Sequence, residues 1–262
     1  MTDPLEEKPG RSPANRSLER GVEILRAFRP GSELLGNAEL ADRTGLSRST
    51  VSRLTQTLVG TGLLHLDARR RAYRLAPAVL SLAHAMRSGS TILGIAAPKM
   101  RALAEARRIN IGLAAPDRDE MVYLESIRYN RRVSLRSVVS GQRVPMELTS
   151  LGRAYLAVAP EPRRKALLAL FRKRRKGQWP TLAEEIELAM QSVRQRGYCA
   201  AAWQPEVVAL AVPLRWEGQP RYALNLSVST AETVHSVEQE LSGALLALAA
   251  DIEGALAKQG VT

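Results

Sequence analysis

The 262-residue chain has one cysteine and three histidines, and aromatic residues make up only 4% of it. Because Cys199 stands alone, an intramolecular disulfide and a four-cysteine zinc site are both excluded. His65, His84 and His235 are scattered along the chain, so we expect no metal site, and no cofactor-binding motif stands out either. No run of eighteen apolar residues occurs, which argues against a transmembrane helix. We therefore expect a soluble, cytoplasmic protein that does not bind to a membrane.

The N-terminal segment is the least globular part of the sequence. Residues 1–15 carry three prolines and mixed charges without an apolar run. That composition matches neither a secretory signal nor a membrane anchor, so we expect a disordered tail. The rest of the chain has ordinary globular composition, with 45% hydrophobic residues, and its length favours two domains with separate cores.

Positive charge is abundant and unevenly placed. The formal net charge is +12. Residues 1–42 hold six Lys and Arg against eight Asp and Glu, whereas residues 43–90 hold eight against one. A local excess of this size points to a polyanion, nucleic acid first and an anionic membrane surface second. A basic surface that only aids solubility is the alternative.

Two short helices are predicted next to this basic region. Apolar residues recur at helical spacing over Ser17–Phe28, and Pro30 and Gly31 should end that helix. A second helix is predicted over Ala38–Thr44, with Asn37 as its N-cap.

The segment LADRTGLSRSTVSRL then matches the requirements of a helix-turn-helix. Ala41 is small where two helices would touch, Gly45 allows the bend, and Val51 and Leu54 anchor the next helix. The residues that cap or face outward from this helix are short, polar or basic, as contacts to base edges and phosphates require: Ser47, Arg48, Ser49, Thr50, Ser52, Arg53 and Gln56. A helical hairpin within a bundle is the alternative, but its outer face would normally carry glutamates, and none occurs between Ala41 and Glu105.

After Gly62 the apolar pattern changes to period two, which predicts a β-hairpin. Leu64 and Leu66 should face Tyr73 and Leu75 across a turn. The tip carries three consecutive cations that would grip phosphates or enter the minor groove: Arg69, Arg70 and Arg71. In isolation such a tip would be a solvated loop, but beside a helix-turn-helix it indicates a wing.

The ordered motifs resemble the isocitrate-lyase-regulator (IclR) family of bacterial transcription factors. The N-terminal ones are SLERGVEIL from residue 17, AELADRTGLSRSTVSRLTQTL from residue 38 and YRLAP from residue 73. The C-terminal ones are INIGLAAPDRDEMVYLESI from residue 109, GQRVPMELTSLGRAYLA from residue 141, RGY from residue 196, ALAVPL from residue 209 and ALNLSVS from residue 223. The resemblance implies an α+β protein: a winged helix-turn-helix domain at 16–76, a linker helix at 77–92, and a GAF-like effector-binding and oligomerisation domain with an antiparallel sheet at 93–259.

The C-terminal pattern supports an α+β domain by itself. The linker helix, Ala76–Met86, is apolar over so wide a face that we expect a partner to bury it. Gly89 and Gly94 bracket a possible hinge before a helix near Pro98–Ala106. The remaining predicted elements are strands at Ile109–Ala115, Met121–Ser126, Val133–Val138, Val207–Leu214 and Tyr222–Ser229, and helices from Ser150, around Pro162–Phe171, over Leu182–Gln195 and over Val234–Leu256.

A ligand site is predicted where one of these helices begins. Its opening residues, Thr149, Ser150, Leu151 and Gly152, would offer free amides to a carboxylate, and Ser227 and Ser229 share one face of a strand. A plain helix cap and an ordinary strand would explain the same residues, but the resemblance implies that they bind small organic acids. Ala209 stands where the family commonly has a pocket cysteine. Together with Ala201, Ala202 and Trp203 it predicts an apolar pocket suited to an aromatic or hydrocarbon-bearing effector.

These features predict a sequence-specific regulator, a homodimer or dimer of dimers, that reads a roughly palindromic operator in double-stranded DNA and responds to a carboxylate effector. An enzyme with a DNA-binding appendage lacks a convergent set of catalytic groups, and Cys199 has no nucleophile signature, so we predict no catalytic residues. A non-specific architectural DNA binder, and a C-terminal domain that no longer binds an effector, remain alternatives. The basic run Arg172–Lys176 is either a DNA contact or a solvated loop between helices.

Overall fold

The computed structural model of the chain describes residues 15–129, 139–204, 206–214 and 222–259. These residues divide into two compact units, with the division between Gly89 and Ser90. The strand predicted at 133–138, and all of the predicted tail except Asn15, lie outside the described residues.

The first unit is a small helical domain with a three-stranded sheet. Its elements are α1 (Arg16–Arg26), β1 (Leu35–Gly36), α2 (Asn37–Thr44), α3 (Arg48–Gly60), β2 (Leu64–Asp67), β3 (Ala72–Leu75) and α4 (Ala78–Ser88). The predicted hairpin is confirmed, since Leu64 pairs with Leu75 and Leu66 with Tyr73. The sheet order is β1-β3-β2, and the two-residue β1 is too short for any sequence pattern to predict.

Two predicted helix ends in this unit were wrong. The first helix stops at Arg26, before Pro30 and Gly31 are reached. Asn37 does not cap the second helix but is its first residue, because Gly36 is held in the sheet by its pairing with Ala72. The cap is made instead by Glu39, whose Oε2 accepts the Gly36 N–H at 2.9 Å.

The linker region also differs from the prediction. A new helix starts at Thr91, capped by Ser90, so Gly94 lies inside it and the predicted hinge between Gly89 and Gly94 was wrong. Only Gly89 and Ser90 separate it from α4. The Ser90 hydroxyl accepts the Leu93 N–H at 3.5 Å, which satisfies one of the free amides of the first turn and lets the helix begin early.

The second unit is an antiparallel sheet covered on both faces by helices. Its elements are α5 (Thr91–Arg107), β4 (Asn110–Asp117), β5 (Glu120–Ile127), β6 (Arg143–Pro145), α6 (Ser150–Val158), α7 (Glu161–Arg174), α8 (Trp179–Arg196), β7 (Cys199–Gln204), β8 (Val207–Leu214), β9 (Tyr222–Ser229) and α9 (Val234–Lys258). The six strands are ordered β6-β5-β4-β9-β8-β7. The predicted α+β class is confirmed, and the edge strands β6 and β7 were not anticipated.

The two faces of this sheet carry side chains of different size. Large residues such as Leu210 and Leu226 pack against α5 and α9 on one face. On the other face Ala114, Ala211 and Ala223 pack against α6, α7 and α8. Because side chains alternate along a strand, the same strands present bulk to one layer and leave room on the other. That room brings α6 close to the strands.

Candidate functional site

The helix-turn-helix has the geometry that its sequence predicts. Gly45 ends α2 with φ +69°, a left-handed conformation in which a side chain would be strained. Leu40 and Ala41 are buried on α2, and Val51 is fully buried on α3. The turn thus directs one face of α3 into the core and leaves the opposite face to solvent.

Hydroxyl groups and arginines are concentrated at the start of α3. The Ser47 Oγ accepts the Thr50 N–H at 3.3 Å, which confirms the predicted cap, and it lies 3.1 Å from the Ser49 Oγ and 2.9 Å from the Thr50 Oγ1. The remaining predicted contact residues lie on the solvent side of α3: Arg48, Arg53 and Gln56 are exposed and Ser52 is half-buried. Such a surface offers hydrogen bonds and positive charge without an acidic side chain.

The hairpin places three arginines on the same unit. Leu64 of β2 belongs to the same core as Val51, which joins the hairpin to α3. The Asp67 carboxylate accepts the Arg70 N–H at 3.1 Å and a guanidinium N–H of Arg74 at 2.8 Å. The Arg70 amide is the main reason that the pKa of Asp67 lies below its usual value. The turn therefore has an internal anchor, and the side chains of Arg69, Arg70 and Arg71 are exposed.

A cavity lies in the second unit, between the small-residue face of the sheet and the start of α6. Its lining includes most of the predicted effector residues: Thr149, Ser150, Leu151, Ala209, Ser227 and Ser229. Trp203 lines it as well, whereas Gly152, Ala201 and Ala202 do not. The cavity walls thus come from β4, β5, β8, β9 and the first turn of α6.

Strand register explains which side chains reach the cavity. On β9, Ser227 lies between Asn110 and Ala209, and Asn225 lies between Gly112 and Ala211. The small neighbours leave the polar side chains of β9 uncovered on this face. The predicted shared face of Ser227 and Ser229 is therefore where the cavity forms.

A β-bulge in β5 brings further groups to the same face. Tyr123 pairs with Ala114, but Ser126 pairs with Gly112, so Leu124 is an extra residue in the ladder. Without it, Tyr123 and Ser126 would point to opposite faces, because they are three residues apart. With it, Tyr123, Ser126 and Arg128 all line the cavity.

The first turn of α6 supplies donors. The Thr149 Oγ1 accepts the Gly152 N–H at 3.3 Å and donates to the Pro145 carbonyl at 2.8 Å. The amides of Ser150 and Leu151 meet no acceptor among the described residues, and the helix dipole adds positive potential at this end. A carboxylate is the ligand group that this arrangement suits.

Gly152 contributes by its lack of a side chain. A Cβ at this position would lie 2.1 Å from the Met146 Cα, which is backbone and cannot move aside. Its assignment as a pocket-lining residue was therefore wrong. Its role is to let the first turn of α6 pack directly against the segment before it.

That segment is also held by charge. Glu147 is fully buried, and its Oε1 accepts the Arg175 Nε–H at 3.0 Å with Arg174 at 3.7 Å. Arg174 pairs in addition with Asp119, in the turn between β4 and β5. Residues 172–174 form the last turn of α7, so the interpretation of the basic run as a loop was wrong there. Two of its arginines stabilise the pocket segment.

Three cavity residues were missed by the sequence analysis. Asn225 is 5% exposed, and it was detectable because strand alternation puts it on the face of Ser227 and Ser229. Tyr123 hydrogen-bonds to Asn225, and burial raises its pKa to about 12, so its hydroxyl stays protonated. Arg128, alone among the described lining residues, is charged. The bulge that orients it has no sequence signature.

The predicted apolar character of the pocket needs correction. Trp203 and Ala209 line it, but so do the amides of Asn110, Gln204 and Asn225. The β7–β8 register shifts between Ala201 and Gln204, which turns the end of β7 toward the cavity in place of its alanines. The pocket combines an aromatic wall with several hydrogen-bonding groups.

No catalytic arrangement accompanies the pocket. Burial raises the pKa of the Cys199 thiol to about 12, and the thiol donates to the Ser150 carbonyl at 3.4 Å, so this cysteine is inert. Across the described part of the chain no cluster of His, Cys, Asp and Glu side chains could hold a metal ion. Nor is any described helix long and apolar enough to cross a membrane.

A winged helix-turn-helix joined to a domain with a cavity for a small ligand defines a class of ligand-responsive DNA-binding proteins. Residues 17–68 match the IclR helix-turn-helix domain, and residues 84–254 match the bacterial transcriptional regulator IclR C-terminal domain. The chain therefore belongs to the IclR family of DNA-binding transcriptional regulators, whose C-terminal domains bind small-molecule effectors and which are not enzymes.

Individual relatives agree with this assignment. The HTH-type transcriptional regulator TsaQ1/TsaQ2 of Comamonas testosteroni is 37% identical over 186 residues, which is 70% of this chain and 66% of that protein, just under two thirds. The crystal structure of an IclR family regulator from Brucella abortus is 33% identical, with a TM-score of 0.84 over 92% of each chain. An IclR homolog from Microbacterium hydrocarbonoxydans, complexed with 4-hydroxybenzoate, is 24% identical, with a TM-score of 0.66 over 91% of this chain and 99% of that one.

Replacing Gly152 by alanine tests the close packing at the start of α6. The added Cβ must displace backbone, so we expect Gly152→Ala to lower the free energy of unfolding by about 1–3 kcal/mol or more. Gly243→Ala, in α9 with nothing within 4 Å, should be neutral or stabilise by up to about 1 kcal/mol. Urea titration measures both, and a Gly152→Ala variant as stable as the parent would contradict the packing described.

Proposed function

We propose that this protein is a sequence-specific transcriptional regulator whose affinity for its operator changes when a small organic acid enters the C-terminal cavity. The observation that carries the proposal is the charge of that cavity. Its lining has Arg128 and the amides at the start of α6, and no acidic side chain among the described residues. A negatively charged ligand is the one that such a lining favours.

The DNA-reading part of the proposal rests on α3 and the wing. Arg48, Ser49, Ser52, Arg53 and Gln56 would lie in the major groove, with the hydroxyls of Ser47 and Thr50 beside the backbone. Arg69, Arg70 and Arg71 would contact phosphates or the adjacent minor groove. A regulator of this kind works where the DNA is, so we place it in the cytoplasm.

The class of acid follows from the aromatic wall of the cavity. Tyr123 and Trp203 offer faces and edges against which a planar ring can pack, and Ala209 leaves space beside them. The Microbacterium homolog holds 4-hydroxybenzoate, which supports an aromatic ligand for a pocket of this fold. We therefore favour an aromatic carboxylate over a two- or three-carbon acid.

Assembly into dimers, or dimers of dimers, follows from the exposed apolar surface of the first unit. None of the α4 residues is buried, and its Leu80 is 74% exposed and its Leu82 62%. On α1, Leu18 is 67% exposed. A second copy of the chain is the partner that would cover these residues, and a two-fold dimer accounts for a roughly palindromic operator.

Sequence reading by α3 can be separated from phosphate binding by the wing. Arg48→Ala should lose the preference for operator over random DNA by about 1–3 kcal/mol, because a base contact disappears. Arg70→Ala should weaken binding to both DNAs equally and reduce the salt dependence. Fluorescence anisotropy on an operator selected from a random pool measures both, and equal weakening on both DNAs by Arg48→Ala would favour an architectural binder.

Ligand charge is tested by thermal unfolding of the full chain. Benzoate should raise the melting temperature and benzamide should not, because only the acid has a charge for the α6 amides and Arg128. Benzoate should also bind more tightly than glyoxylate or pyruvate. Equal shifts from benzamide would contradict an anion site, and equal binding of the small acids would contradict an aromatic effector.

The oligomer is tested by making the exposed face of α4 polar. Leu80→Gln combined with Leu82→Gln should lower the mass measured by light scattering, because it removes apolar area that a second copy would bury. Leu188→Gln, at a residue that is 57% exposed on α8, is the matched control and should leave the mass unchanged. A double variant with the parent's mass would show that this face does not hold copies together.

A further inference from the structure

Two amide side chains of the cavity have a buried oxygen without a hydrogen-bond partner. They are Asn110, at the start of β4, and Asn225, which is 5% exposed on β9. Buried polar groups in folded proteins are nearly always paired, so each such exception needs an explanation. Both residues line the cavity, so a ligand in it is within reach of both.

The orientation of the Asn225 amide is restricted by its neighbours. Asn225 pairs in register with Gly112, and a Cβ on Gly112 would lie 2.6 Å from the Asn225 Oδ1 and 2.3 Å from the Tyr123 Cε1. Only glycine leaves room for the tyrosine ring and the amide side by side. The hydrogen bond between Tyr123 and Asn225 then holds the amide in place while its Oδ1 stays unpaired.

Asn110 adds a second acceptor on the same face. It pairs with Ser227, two residues along β9 from Asn225, so the two amides are diagonal neighbours on the sheet. Diagonal cross-strand neighbours are about 7–8 Å apart, close enough for one substituted ring or short chain to approach both. The cavity therefore has donors at the α6 end and acceptors on the sheet.

We propose that Asn225, assisted by Asn110, recognises a hydroxyl group and that the effector is a hydroxylated organic acid. The inference rests on the proposed function, because it takes the carboxylate to lie at the first turn of α6. A hydroxyl donates to the amide oxygen, and it would accept from the amide nitrogen if the amide turned over. An ammonium group fits less well, since Arg128 would oppose it and no described lining residue is acidic.

Matched pairs of acids test this inference with the unmodified full-length chain. Isothermal titration calorimetry compares benzoate with 2-, 3- and 4-hydroxybenzoate, and propionate with lactate. We expect at least one hydroxylated acid to bind 10-fold or more tightly than its parent, because the parent leaves the buried amide unpaired. Equal affinities within every pair would overturn the inference, since a water molecule would then satisfy the amide just as well.

Two variants assign the preference to Asn225. Asn225→Leu keeps a similar volume without polar atoms, and it should bind the parent acid while losing the preference for the hydroxylated one. Tyr123→Phe removes the phenol hydroxyl but keeps the amide, and it should retain most of the preference. If Asn225→Leu keeps the preference, or Tyr123→Phe abolishes it, the assignment to Asn225 is overturned.

The experiment also separates this inference from the proposed function. If parent and hydroxylated acids bind equally, the acid-responsive regulator stands and only the hydroxyl site falls. If none of the six acids binds, the effector proposal fails, and the hydroxyl site fails with it.

Discussion

The contact between the first turn of α6 and the small-residue face of the sheet determines the architecture of the second unit's site. Gly152 lies where any side chain would overlap the Met146 backbone, and the strands beneath carry alanines at Ala114, Ala211 and Ala223. The opposite face of the same strands carries the bulky residues. Because the helix reaches the sheet here, its amide donors and the polar residues of β9 share one cavity. Neither element would form an anion site alone.

The same contact is braced from behind by buried charge. Glu147 has no exposed surface, and a carboxylate in such a place is tolerated only when cations accompany it. Arg174 and Arg175 provide them from the end of α7, and Arg153 donates to the Glu147 carbonyl at 3.1 Å. The basic run that looked like a free surface feature in the sequence is thus partly structural.

Features set by local chemistry were predictable from the sequence. The Ser47 cap, the bend at Gly45 and the strands at Val207–Leu214 and Tyr222–Ser229 depend on periodicity and on residues a few positions apart, and the structure has them as predicted. Asn37 was misassigned because the cap depends on a strand pairing between Gly36 and Ala72, far apart in the chain. Long-range pairing of short segments leaves no local signature, which also hid β6 and β7.

The candidate site followed the same division. Thr149 and Ser227 could be recognised from a helix start and an alternating strand, and Asn225 was available by the same reasoning. Arg128 reaches the cavity only because Leu124 is bulged, and Ala201 and Ala202 are kept out by an irregular register in β7. Sequence patterns therefore identified the donors of the pocket, whereas the residues that determine its polarity depend on irregularities of the ladder.

The central claim, that the start of α6 forms an anion site against the sheet, is tested most directly by a crystal structure of the full chain grown with an aromatic acid. The account predicts carboxylate oxygens about 2.7–3.2 Å from the amide nitrogens of Ser150 and Leu151, with the ring between Tyr123 and Trp203. An acid bound with its carboxylate away from that turn, or outside the cavity altogether, would contradict it.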